Sequence, residues 1–269
     1  MKHVRDLFDL SGKTAIVTGG AGKYGLCIVE GLAEGGARVI MASRNQTNCR
    51  KKADEFKARG LDVKAAPLDL ADEQSIKSLI KSVLAEEGKI DVLVNNAVGR
   101  IAGNASGQSI NKELAGSKIW EQSMRVNAIG LYVCIAAALE SMIEGRGGNI
   151  INIASMYGLV GQNPAMYPGT GMDSSAFGDY FFHKAGMINY TRYLATRFAE
   201  YNIRVNCISP GGLLADQSAE FLKRYNERVP LRRMANADDI KGAVVYLASE
   251  ASAYVTGHNL IVDGGWTIW

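Results

Sequence analysis

Thr14-Ala15-Ile16-Val17, running into Thr18-Gly19-Gly20-Ala21-Gly22-Lys23-Tyr24-Gly25, is the stretch on which the fold turns. A β-branched, apolar run of this length suits a strand buried on both faces of a parallel sheet. Glycines follow at once in the spacing G-x-G-x-x-G, as Gly20, Gly22 and Gly25, and a helical pattern extends from Leu26 to Ala33. Such glycines permit a tight turn and let a pyrophosphate approach backbone N–H groups at the positive end of a helix. A Walker-type loop would need glycine where Val17 stands and Ser or Thr where Tyr24 stands, so the Gly22-Lys23 pair does not carry that alternative.

Outward from this turn, strands and helices alternate. Strands are expected at Arg38 to Ala42, Val63 to Pro67, Val92 to Val94, Asn149 to Ala154, Arg204 to Ile208 and Asn259 to Val262. Helices are expected at Ser75 to Ala85, at Trp120 to Ile143 as one long element, from Tyr180 onward, near Ala215 to Asn226 and at Ala237 to Ser249. No Pro-rich or Ser-rich linker divides the chain. With right-handed crossovers this alternation gives an α/β fold: one doubly wound parallel sheet, a Rossmann fold, as a single domain over 1–269. The second strand ends in Ser43-Arg44-Asn45, where a fold selective for NAD would place an acidic residue for the ribose hydroxyls. Arg44 suits a 2′-phosphate instead, so NADP(H) is favoured and NAD(H) stays open, with Lys23 as a further charge nearby.

Composition sets the outer bounds. The chain has 269 residues, 47% of them hydrophobic, with 30 Lys and Arg against 27 Asp and Glu and a net charge of +3. The dispersed charge gives no nucleic-acid surface. Four separated cysteines form no C-x-x-C pair, which argues against a metal site or a disulfide framework. The N-terminus lacks a signal-peptide run and no apolar stretch is expected to reach the roughly 20 residues of a membrane span, so the expectation is a cytoplasmic protein without a membrane segment.

Tyr180 and Lys184 lie four residues apart, on one face of the helix that continues through Asn189. An unperturbed phenol has a pKa of about 10, and a fixed ammonium one turn away stabilises its anion. With Thr18 through Gly25, Asp69, Asn95-Asn96-Ala97, Asn127, Ser155 and Pro210-Gly211, the chain resembles the short-chain dehydrogenase/reductase family over essentially its whole length. Its C-terminal half, from Glu220 through Asp263-Gly264-Gly265-Trp266, is similar to sugar and polyol oxidoreductases, among them gluconate 5-dehydrogenase-like enzymes and those assigned to flagellin glycan modification.

The resemblance implies a small-molecule alcohol or ketone as substrate and a homotetramer or homodimer. It makes Tyr180 the general acid or base, Lys184 the group that lowers its pKa and holds the nicotinamide ribose, Ser155 the donor to the reacting oxygen, and Asn127 the residue that positions a water. By the same resemblance the cofactor lies along Gly19, Gly20, Gly22, Lys23, Tyr24, Gly25, Ser43, Arg44, Asp69, Leu70, Asn96, Ala97, Pro210 and Gly211, with Asn95 near the adenosine ribose. Three departures stand out: Lys23 replaces a middle glycine, Val98 replaces the glycine after Asn-Asn-Ala, and Ser155 to Tyr180 is about twelve residues longer than the family norm. Tyr167 falls near the usual distance but has Gly171 instead of a lysine four residues on, and Pro168-Gly169 would break a helix, so Tyr180 is the expected acid. The inserted segment near 163–177 and the loop from Gly99 to Lys118, with Asn104, Ser106 and Gln108, are expected to wall a site for a polyhydroxylated substrate. The rival expectations are a lipid, steroid or acyl-thioester carbonyl, or a cofactor sensor without catalysis. His183 and Trp266 with Trp269 are expected in packing roles.

Overall fold

Strands β1 (Thr14–Thr18), β2 (Arg38–Ser43), β3 (Val63–Pro67), β4 (Val92–Asn95), β5 (Gly148–Ile153), β6 (Ile203–Pro210) and β7 (Asn259–Val262) form one sheet in the order β3-β2-β1-β4-β5-β6-β7. Every pair is parallel. The computed structural model describes residues 1–99, 117–170 and 178–269, so Asn104, Ser106, Gln108 and residues 171–177 of the insertion lie outside the described residues. The helices are α1 (Val4–Leu7), α2 (Lys23–Glu34), α3 (Gln46–Ala58), α4 (Glu73–Glu87), α5 (Ser117–Met124), α6 (Leu131–Glu144), α7 (Asp179–Phe198), α8 (Ala219–Arg228) and α9 (Asp238–Ala248).

Side chains alternate across β1, which explains the two layers. Ile16 points to the face covered by α4, α6 and α7, in register with Ile40, Leu93 and, beyond them, Ile150 and Val205. Those five are essentially fully buried, and each such side chain stabilises the fold by about 1.5–3 kcal/mol. Ala15 and Val17 point to the other face, against Ile28 and Leu32 of α2 and Val244 and Leu247 of α9. The strand order reverses at β1, so a crevice opens at the carboxyl ends of β1 and β4, where ligands bind in such sheets.

Two expected elements differ. The long helix is interrupted by a π-helical turn, Arg125–Gly130, between α5 and α6. Periodicity does not register one extra residue per turn, and the turn forms where Gly130 passes so close to the Leu70 carbonyl that a Cβ would overlap it. Continuous through that turn, Ser117–Glu144 gives 28 helical residues that are long and apolar enough by composition to cross a membrane, contrary to the expectation of no such stretch. Its Leu131, Cys134, Ile135, Ala138 and Met142 are core residues of the sheet's face. The other difference is α8, which starts at Ala219 because Ser218 caps it through Oγ (3.3 Å from the Phe221 N–H) and Gln217 folds back to the Ala215 N–H and Leu213 carbonyl. All four cysteines are buried, and burial pushes Cys134 up to about 12 and Cys207 up to about 11, which leaves neither as a thiolate near neutrality.

Candidate active site

Because the strands are parallel, their carboxyl ends bring the expected residues to one edge. At the end of β1, Gly19 has φ +64° and a Cβ there would lie 2.7 Å from the Ala97 Cα, while a Cβ on Gly25 would overlap the Gly19 carbonyl and reach 2.8 Å from the Gly20 Cα. Gly20 is packed against Met41 and Val29. Gly22 has more room, with only the Gly19 carbonyl at 3.2 Å, and it starts α2 without a side-chain cap. The tight positions are therefore Gly19, Gly20 and Gly25, one register away from the G-x-G-x-x-G spacing.

The turn is fastened to β4 by hydrogen bonds. Thr18 Oγ1 accepts from the Asn96 and Ala97 N–H groups, both at 3.1 Å, and Asn96 Nδ2 donates to the Thr18 and Gly19 carbonyls. Asn96 thus shapes the turn. Asn95 instead points into the interior, where Nδ2 donates to Asn152 Oδ1 and Asn152 donates to Thr191 of α7. Sequence patterns placed Asn95 beside the ribose; its burial and its partner on β5 give it a strand-pinning role.

Lys23, the first residue of α2, reaches across the cleft to Asp216 with Nζ 2.7 Å from Oδ1, and does not join Arg44. Next to it, Tyr24 Oη donates to the Gly211 carbonyl (2.9 Å), tying the phosphate turn to Pro210-Gly211 at the end of β6. Ser43 ends β2 with its carbonyl accepting from Leu68, and the exposed Arg44 follows with no ion pair among the described residues. Asp69 is spent partly on its own turn, accepting from the Ala71 N–H.

On α7, Tyr180 and Lys184 share a face, with the Lys184 Nζ 5.7 Å from the Tyr180 ring centre. Lys184 is 1% exposed and donates to the Ile153 carbonyl at the end of β5 (2.6 Å). Ser155, buried just beyond, caps a 3₁₀ turn through Oγ, and in that turn a Cβ on Gly158 would lie 2.9 Å from the Lys184 carbonyl. The serine turn is thus pressed onto the helix at the lysine. Asn127 sits in the π turn with its side chain clamping Gly99: Oδ1 accepts from the Gly99 N–H and Nδ2 donates to the Gly99 carbonyl.

Sequence reasoning missed what lies beyond Asn127. Its Nδ2 also donates to Ser123 Oγ, which donates to the Asp179 carboxylate immediately before Tyr180. This directional chain runs from the stem of the Gly99 loop to the first turn of the candidate catalytic helix, and the i, i+4 spacing of Ser123 and Asn127 was the available signal. The described part of the insertion, through Thr170, lies against the same site. Tyr167 Oη is 3.1 Å from the hydroxyl of Tyr157, two residues past Ser155, and Arg224 of α8 donates to the Ala165 and Pro168 carbonyls. Tyr167 is a wall residue, paired with a phenol and not with a lysine. Trp266 is core, stacked 4.6 Å from Tyr225, whereas Trp269 is exposed with Nε1 donating to the Arg228 carbonyl.

The family model described as enoyl-(acyl carrier protein) reductase matches residues 24–267. The chain belongs to the short-chain dehydrogenase/reductase family. It is 33% identical to an uncharacterized oxidoreductase of Thermotoga maritima over 96% of this chain and 97% of that one. It is also 33% identical to the 3-oxoacyl-[acyl-carrier-protein] reductase of Staphylococcus aureus, covering 94% of this chain and 97% of the relative. Among solved structures, a gluconate 5-dehydrogenase of Burkholderia cenocepacia in complex with NADP and tartrate superposes with a TM-score of 0.82 at 29% identity, over 99% of this chain and all of that one. This short-chain dehydrogenase/reductase is an oxidoreductase of a family that uses NAD(P), and its Lys23, Val98 and long Ser155-to-Tyr180 segment are its departures from the usual family pattern.

Proposed function

We propose that this enzyme transfers a hydride between NADP(H) and a secondary alcohol or ketone on a sugar, sugar acid or polyol. The observation that carries the reading is the buried Lys184, fixed to the β5 carbonyl beneath Tyr180 with the Ser155 turn packed against it. The residues fit a phosphorylated dinucleotide. Gly19 and Gly25 leave a cradle that a Cβ would fill, Gly22 leaves the first N–H groups of α2 without a side-chain acceptor, and Arg44 offers an uncommitted guanidinium. The bound dinucleotide supplies the hydride chemistry. Tyr180 gives its hydroxyl proton to the substrate oxygen in reduction and takes it back in oxidation, Ser155 Oγ donates to that oxygen as charge develops, and Lys184 favours the phenolate. Asn127, Ser123 and Asp179 hold the start of α7 in place.

The Tyr157 and Tyr167 hydroxyls, with Asn163 at the insertion, support a polyhydroxylated substrate, as does the likeness to a gluconate 5-dehydrogenase. A 3-oxoacyl thioester is the second reading, favoured by the Staphylococcus aureus relative. A panel of sugar acids and polyols, with an acetoacetyl thioester beside them and both cofactors, separates the two. Turnover is expected on a sugar acid or polyol with NADP(H); turnover on the thioester alone would replace this reading with the second.

Arg44→Asp is expected to lower the NADP over NAD ratio of kcat/KM by about 10- to 100-fold, since a hydrogen bond to a charged group contributes about 1.5–3 kcal/mol. The measurement is steady-state kinetics with each cofactor. An unchanged ratio removes Arg44 as the discriminator.

A further inference from the structure

Neither ring nitrogen of His183 has a hydrogen-bond partner among the described residues, although the residue is only 5% exposed. Leaving a buried polar group unmet costs about 1–3 kcal/mol, so an orphan imidazole beside the candidate acid calls for a partner. Its Tyr180 neighbour stands edge-on, with ring centres 5.4 Å apart, and offers it only a ring. Burial, followed by the Lys184 charge, pushes His183 down to about 4, while the Asp179 carboxylate and carbonyl act weakly the other way without bonding the ring. The side chain is therefore neutral near pH 7, with one N–H donor and one lone-pair acceptor to place.

His183 lines a small enclosed cavity of about 10 Å³ together with Thr18, Asn95, Asn127 and Lys184. That is the space of a single water centre, and a water there needs two or more polar partners. The other uncharged polar lining groups are committed elsewhere: Thr18 Oγ1 to β4, Asn95 to Asn152, and the Asn127 amide to Gly99 and Ser123. The imidazole is the uncharged side chain on that wall with both its functions still to be met.

We propose that His183 is a positioning residue that anchors one internal water against Lys184 and so keeps the proton supply to Tyr180 in line. The inference rests on Tyr180 being the acid. In ketone reduction the Tyr180 O–H bond breaks and its proton goes to the substrate oxygen. The phenolate recovers a proton from the Lys184 ammonium, the amine recovers one from the anchored water, and that water recovers one from solvent. The imidazole keeps its own proton throughout and only fixes the water.

The test compares His183→Leu, which fills the site without a polar group, with His183→Gln, which keeps a donor and an acceptor. For His183→Leu, kcat is expected to fall about tenfold and the solvent deuterium isotope effect on kcat to rise. NADPH affinity should stay within twofold and the Tm should not fall. His183→Gln should recover most of kcat. A crystal structure of the parent should hold a water within hydrogen-bond distance of a His183 nitrogen. Either of two results overturns the inference: a parent crystal structure with no such water, whatever the activity, or a His183→Leu enzyme with the parent's kcat and isotope effect. Parallel losses of kcat, NADPH affinity and Tm in both variants would make His183 a packing residue and overturn it as well. A parent with the water in place but no NADP(H)-linked turnover would instead count against the proposed function.

Discussion

Tyr180→Phe is expected to lower kcat by about a thousandfold or more while NADPH affinity stays within about twofold. The substitution removes one oxygen and keeps the ring that faces the Lys184 ammonium at 5.7 Å and His183 at 5.4 Å, so the helix and its packing are retained. General acid–base catalysis by one positioned side chain contributes about 10²–10⁴-fold, and a thousandfold corresponds to about 4 kcal/mol of barrier. The loss should fall on kcat and kcat/KM together, because the proton is needed in the transition state and not in the binding of either ligand. Tyr167→Phe is the informative contrast. Its hydroxyl meets only that of Tyr157 among the described residues, at 3.1 Å, and its effect should be confined to KM. Steady-state kinetics with a fluorescence titration of NADPH check both variants. A Tyr180→Phe enzyme within tenfold of the parent would remove Tyr180 from the chemistry and reopen the question of Tyr167.

What the sequence made legible follows the range of the forces involved. β1, β3 and β7 stand within a residue of their expected bounds because a buried parallel strand declares itself through local apolar runs. The Tyr180 and Lys184 pairing was legible because i, i+4 geometry is a property of the helix alone. Contacts that depend on tertiary approach were not legible. The π turn at Arg125–Gly130 exists because Gly130 meets Leu70, nearly sixty residues earlier in the chain, and no pattern within the helix encodes that neighbour. Lys23 carried a charge whose sign was readable, but its partner, Asp216, lies on a loop that only the fold brings across the cleft. Asn95 and Asn96 are adjacent and chemically identical, and only the pleat of β4 sends one into the interior and the other to the turn. His183 read as packing from its helical face, and a buried imidazole without partners is visible only once its surroundings are assembled.

The same distinction sets the second large effect, at the glycines. Gly25→Ala is expected to destabilise the protein by about 1–3 kcal/mol and to weaken NADPH binding more than tenfold. Its Cβ would overlap the Gly19 carbonyl and stand 2.8 Å from the Gly20 Cα, and all of these atoms are backbone of the turn itself, so no side chain can swing aside to relieve the overlap. Overpacking of this kind costs about 1–3 kcal/mol, and for a domain of this size each kcal/mol lowers Tm by roughly 2–4 °C. Displacing Gly19 also strains the hydrogen bond that Asn96 Nδ2 makes to its carbonyl, and with it the turn that would cradle the pyrophosphate. Gly22→Ala separates this from a generic intolerance of the glycine motif. Gly22 has φ −84°, which alanine adopts freely, and its Cβ would meet one oxygen at 3.2 Å, so the Tm measured without cofactor should stay close to that of the parent. The motif read as G-x-G-x-x-G gives both glycines equal weight, whereas the packed turn gives it to Gly25. Thermal unfolding of both variants, without NADPH and at saturating NADPH, decides between them: the ligand-induced rise in Tm should shrink for Gly25→Ala in proportion to the logarithm of its weakened affinity. Equal Tm losses in the two variants would mean that the turn tolerates no Cβ at any glycine, and that its close approach to Gly19 is not what makes Gly25 necessary.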